Sequence, residues 1–173
     1  MTWRKLDERP AFTGAYRRVV TRRFERPDGS VADYEVKAED AIVAILALTP
    51  EDEVLLVREF RVGPEETLLE LPAGIIEDGD SALEAARREL LEETGYAGEL
   101  EHVAEIVDCA YSTRVKHALV ATGCRRVAEP TPDSSEFLEL VRMPLAQFRE
   151  HLRGGRLTDV DVGYRGLDHL GLL

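Results

Sequence analysis

Between Ala41 and Leu48 the chain reads AIVAILAL, an apolar run with no polar interruption. A run of this length suits a central strand buried on both faces. After a turn at Pro50-Glu51-Asp52, EVLLVREF (53–60) reads as the next strand, and TLLEL (67–71) as a short one ending before Pro72. Upstream, residues 13–40 read as two strands around a turn at Pro27-Asp28-Gly29-Ser30. Residues 99–108, 115–122 and 137–143 (FLELVRM) predict three further strands.

The pattern changes period after Gly79. Ala82, Leu83, Ala85, Ala86 and Leu90 form a helical apolar stripe in an alanine-rich stretch. Ser81 with Glu84 three residues on is a capping box, with Asp80 as the other candidate N-cap, and Gly95 is placed to stop the helix. Pro144 reads as the first residue of a second helix, LAQFREHL. Thr158 and Asp161 make a cap-like pair before a last short helix to about Leu170. Strands, helix, strands, two helices: the order predicts an α+β fold, a mixed sheet with helices packed against it.

Composition narrows the function. The chain has 173 residues, 44% apolar and 32% charged, which is the make-up of one globular domain with a sizeable core. No apolar run approaches the roughly 20 residues of a membrane helix. The start, MTWRKLDERP, is polar, so no export signal is read there and the expected compartment is the cytoplasm. Cys109 and Cys124 have no metal-type spacing and are expected as free thiols. The net charge of −12 argues against nucleic acid as a partner. That charge is uneven. Residues 1–40 carry nine Lys/Arg against eight Asp/Glu, whereas residues 65–105 carry thirteen acids against Arg87 and Arg88.

Much of that acid sits on the first helix. Glu89, Glu92 and Glu93 stand at i, i+3 and i+4, so they share one face with Cβ atoms roughly 5–6 Å apart, where like charges repel. Either the face is solvated surface or a cation sits there. Hard divalent ions such as Mg²⁺ or Mn²⁺ take oxygen ligands of this kind. Arg88, about 100° around the helix, can reach a neighbouring carboxylate or loop. Ahead of the helix, the backbone at Ala73 and Gly74 can approach a ligand closely, and Gly79 allows a second tight turn. A glycine-containing loop entering an acidic helix is a plausible place to hold metal against a diphosphate.

The stretch Gly74 to Tyr96 resembles the box of the Nudix hydrolases, G-x5-E-x7-R-E-U-x-E-E-x-G-U, where U is bulky and apolar. Gly74, Arg88, Glu89, Leu90, Glu92, Glu93, Gly95 and Tyr96 fall in register, and Asp80 replaces the first glutamate of the pattern. The resemblance implies a Nudix fold, a mixed β-sheet sandwiched between α-helices, and hydrolysis of a nucleoside diphosphate linked to another group. It makes Glu89, Glu92 and Glu93 metal ligands, with the carbonyl of Ala73 beside them and Arg88 orienting the glutamates. The residue at the Asp80 position is mainly structural in the family.

VREFR (57–61), LLELPAG (68–74) and an N-terminal extension of some 40 residues with a hairpin look like the ADP-ribose pyrophosphatase group. That likeness implies a small nucleotide substrate contacted by Arg61, a site lined by Glu70 and Gly74, and N-terminal strands (residues 1–40) exchanged in a homodimer, with 41–173 as the hydrolase domain. It also implies a catalytic base on a loop before a late strand, which here is Glu136, with Glu139 as the alternative. The chain departs from the group at Tyr111-Ser112-Thr113-Arg114, where a Ser-Pro-Gly is common. ADP-ribose, GDP-sugars and dinucleoside polyphosphates therefore all stay open as substrates, and a non-catalytic nucleotide-sensing module is the rival class.

Overall fold

The computed structural model describes residues 1–132 and 137–173, and the chain divides into two compact units. The first comprises Met1–Ala41 with Val107–Val115. It holds a three-stranded antiparallel sheet of β1 (Arg4–Thr13), β2 (Arg18–Glu25) and β3 (Val31–Lys37), in that spatial order. The β2–β3 turn is the expected one. Asp28 Oδ1 accepts from the amide of Ser30 at 2.9 Å, and Gly29 takes φ +81°. Segment 107–115 lies along β3, where the amide of Lys37 donates to Tyr111 O and that of Thr113 to Lys37 O. Strand β1 was not anticipated. All ten of its residues are exposed, so it leaves no apolar alternation to read. Its backbone ladder to β2 and ion pairs such as Arg22–Glu8 and Arg9–Asp33 tie it down instead.

The second unit comprises Ile42–Ile106 with Lys116–Leu173. Its seven strands are β4 (Ile42–Leu48), β5 (Glu53–Arg61), β6 (Glu66–Glu70), β7 (Ala73–Ile75), β8 (Tyr96–Val107), β9 (Val115–Arg126) and β10 (Glu139–Pro144). The main order is β10-β5-β4-β9-β8, with β6 on β5 and β7 on β4. The sheet is mixed, since β4 pairs parallel with β9 and antiparallel with β5 and β7. The helices are α1 (Ala82–Thr94), α2 (Leu145–Gly154) and α3 (Val160–His169).

Strand β4 is apolar throughout because both of its faces are covered. Val43 and Ile45 pack with Ala85, Ala86 and Leu90 of α1. Ala44 and Leu46 pack with Phe148 and Leu152 of α2 and Val162 and Leu167 of α3. Each fully buried aliphatic side chain of this kind contributes about 1.5–3 kcal/mol. Helix α3 comes so close that a Cβ on Gly166 would lie 2.8 Å from a methyl of Leu46.

Three local expectations need correction. Residues 73–75 form a short strand on β4 rather than only a loop, because the edge left beside Val43 offers backbone partners that a Pro/Gly-rich sequence does not advertise. Pro144 is the N-cap of α2, not its first helical residue, because it still belongs to β10. Thr158 and Asp161 do not cap α3. Its N-cap is Asp159; the Thr158 hydroxyl donates to Asp159, and Asp161 accepts from Lys116 and from the amide of Val162.

Candidate active site

The candidate site is built on α1 and on β7, which precedes it. At the helix start, Ser81 Oγ accepts from the amide of Glu84 while the Glu84 carboxylate accepts from the amide of Ser81, so the capping box forms and Asp80 stays outside the helix. The Ser81 hydroxyl also donates to the Glu84 carboxylate at 2.6 Å, and this bond together with that from the Ser81 amide holds the Glu84 carboxyl below the usual carboxylate range. Gly79, at φ +98°, makes the turn before it, and Gly95, at φ +74°, ends the helix. The ends of α1 are thereby fixed, and with them the direction of Glu89, Glu92 and Glu93.

Gly74 stands opposite Val43, whose side chain faces α1, so position 74 faces α1 as well. A Cβ there would fall 2.0 Å from the Glu89 carboxylate. A side chain at 74 would push that carboxylate from its place, and with glycine there the carboxylate comes to rest against bare backbone. One position away, the amide of Ala73 donates to Glu93 Oε2 at 3.1 Å, and Glu93 is buried. Glu93 is therefore held by the β7 backbone, and Glu89 lies against it.

Arg88 holds the third. Its Nη1 lies 2.8 Å from Glu89 Oε1 and 3.2 Å from Glu92 Oε2, and its Nη2 donates to the carbonyl of Ile75 at 3.0 Å. Burial disfavours the charge of this guanidinium, but Glu89 and Glu92 outweigh it and hold the pKa above the ordinary value. From its place about 100° around the helix, Arg88 reaches two of the carboxylates and the carbonyl of Ile75, and its guanidinium relieves the repulsion of acids at this spacing. Among the described residues, no three His, Cys, Asp or Glu side chains gather around one metal position. The donor chemistry still fits a hard divalent ion, since all three groups are carboxylates, fixed at one helix face beside exposed backbone.

Arg61 and Glu70 meet directly. Glu70 is fully buried, and its Oε2 accepts from Arg61 Nε at 2.5 Å, while its Oε1 has no hydrogen-bond partner among the described residues. Arg61 also pairs with Glu59 at 2.9 Å and keeps about a third of its side chain exposed. Of the two candidate bases, Glu136 lies outside the described residues. Glu139 opens β10, largely exposed and 2.6 Å from Arg58 on β5.

One charged cluster went unread. Lys116, buried at the start of β9, lies 2.8 Å from Asp161 and 3.5 Å from buried Asp159. A lysine opening the apolar strand VKHALVA was its available signal, but its partners stand more than forty residues away.

Residues 38–160 match the NUDIX domain. The chain is 28% identical over 153 residues to the methanol dehydrogenase activator of Bacillus methanolicus, covering 86% of this chain and 82% of that protein. It is also 28% identical over 156 residues to the ADP-ribose pyrophosphatase of Bacillus subtilis (strain 168), covering 88% and 84%. A solved structure of an ADP compounds hydrolase superposes with a TM-score of 0.81 at 25% identity, covering 100% of this chain and 98% of that one. The chain belongs to the NUDIX family, as a member similar to ADP-ribose pyrophosphatases.

Proposed function

We propose that this Nudix pyrophosphatase hydrolyses the diphosphate of ADP-ribose or another nucleotide sugar, using Mg²⁺ or Mn²⁺ held by Glu89, Glu92, Glu93 and the carbonyl of Ala73. The observation that carries the reading is the Glu89 carboxylate resting against the backbone at Gly74, a place that a Cβ at 74 would take from it. When bound, the divalent ion offsets the diphosphate's charge and lowers the pKa of a coordinated water. Arg88 keeps Glu89 and Glu92 in position, and the Ala73 amide does the same for Glu93. Arg61, anchored by Glu59 and Glu70, offers its exposed part to the substrate's distal group, and Gly74 and Glu70 line that site. Glu136 accepts the proton of the attacking water. We further read residues 1–40 as an extension exchanged in a homodimer, 41–173 as the hydrolase domain, and the cytoplasm as its compartment. The overall acidity and the absence, among the described residues, of any helix long and apolar enough to cross a membrane accord with a small-molecule partner.

A panel of ADP-ribose, GDP-mannose, dinucleoside polyphosphates, FAD and NADH, read by phosphatase-coupled phosphate release with and without Mg²⁺, tests the reading. ADP-ribose should give the highest kcat/KM, and no metal-dependent turnover of any member would overturn it. Glu136→Gln and Glu139→Gln, assayed from pH 6 to 9, test the base. Glu136→Gln should lose roughly 10²–10⁴-fold in kcat and flatten the acidic limb. Loss in Glu139→Gln alone would move the role three residues on.

A further inference from the structure

On the α1 side of the sheet, β4 pairs with β7 through Val43–Gly74 and with β9 through Val43–His117. His117 is two residues before Leu119, which packs in the α1 core, so its side chain faces that same side. Two strand spacings, roughly 10 Å, separate it from Gly74. On the neighbouring strand β8, His102 is exposed, and its Nε2 lies 3.1 Å from Nδ1 of His117. The rings stand 5.3 Å apart, tilted by 52°.

The two facing nitrogens form one hydrogen bond, so one is a bare acceptor and the other gives up its proton when a metal ion takes its place between them. The spacing fits as well. With metal–nitrogen bonds of about 2.0–2.1 Å, nitrogens 3.1 Å apart subtend roughly 100°, between octahedral and tetrahedral angles. His102 is exposed and can turn to aim its lone pair.

We propose that His102 and His117 chelate a borderline-soft divalent ion of the Cu²⁺, Ni²⁺ or Zn²⁺ class, at a site distinct from the carboxylates of α1. Imidazole selects these ions over Mg²⁺, whereas the α1 glutamates offer oxygen alone. No third His, Cys, Asp or Glu completes the group among the described residues, so water or a ligand oxygen takes the other positions. The proposal is independent of the hydrolytic reading.

The test uses the full-length protein with excess Mg²⁺ and one equivalent of Cu²⁺. Pulsed electron paramagnetic resonance reads the coordinating atoms, because imidazole nitrogen leaves a modulation that carboxylates do not. Wild type should show coupling to two imidazoles. His102→Asn should lose that pattern and weaken Cu²⁺ binding by at least about tenfold, with Mg²⁺-dependent turnover unchanged. His117→Asn should behave alike, and Glu92→Gln should keep the pattern. A spectrum without nitrogen coupling, or one that survives in His102→Asn, would overturn the proposal. The exposed position of His102 keeps folding out of the result.

Discussion

Charge is handled in opposite ways on the two faces of the seven-stranded sheet. On the α2/α3 face, buried Lys116 serves two acids, Asp159, which is buried, and Asp161, which is partly exposed. On the α1 face, three glutamates share one guanidinium and two backbone contacts. A buried cation paired with acids stabilises by keeping its partners, and removing it leaves a buried charge uncompensated. An acid-rich cluster at a glycine-lined edge costs repulsion in the folded chain and is suited to receive positive charge from outside. The comparison assigns stability to the first and chemistry to the second.

Lys116→Met tests that division with the largest effect. Asp159 loses its cation while buried, and folding should weaken by about 3 kcal/mol, the low end for a broken buried pair. The low end is expected because burial already pushes the Asp159 carboxyl up and lets it take a proton. Denaturant melts measure the loss, and kcat per folded molecule should hold. A second change, Asp159→Asn, should recover part of the stability. If Lys116→Met instead lost turnover at full stability, the two faces would not differ as described.

Glu93→Gln reverses the pattern. The amide oxygen can still accept from Ala73, so the melt should stay near wild type, while kcat at saturating Mg²⁺ should fall by at least about 10²-fold. Near-normal turnover would mean that the acidic face of α1 is only solvated surface. The smallest effect is expected at Asp80→Glu, which restores the family residue in an exposed turn outside the helix. Activity should change less than about tenfold and stability by about 1 kcal/mol or less. A collapse of metal affinity would make Asp80 a ligand and enlarge the acidic face.

The same contrast explains what could be read from the chain. Helix α1 was legible because its signals are local: Ser81 and Glu84 at one end, Gly95 at the other, and an alanine stripe between. Strand β4 was legible because two covered faces demand an unbroken apolar run. The Lys116 cluster was not, since its pairing spans β9 to α3 and no local rule links positions 116 and 159. The placement of Arg88 between Glu89 and Glu92 depends on rotamers that spacing leaves open. Strand β1 was missed because ladder bonds and exposed ion pairs have no hydropathy period.

Strand β1 carries one more consequence, for colloidal behaviour. It lies at the margin of its three-stranded sheet, where an unpaired backbone can template the addition of other chains. Arg4, Lys5, Asp7, Glu8 and Arg9 place charges of both signs along that margin. An incoming strand must match a specific order of charges. Indiscriminate stacking of this protein along β1 is thereby disfavoured, and an apolar substitution series at Lys5, Asp7 and Arg9 would remove the protection without touching either buried cluster.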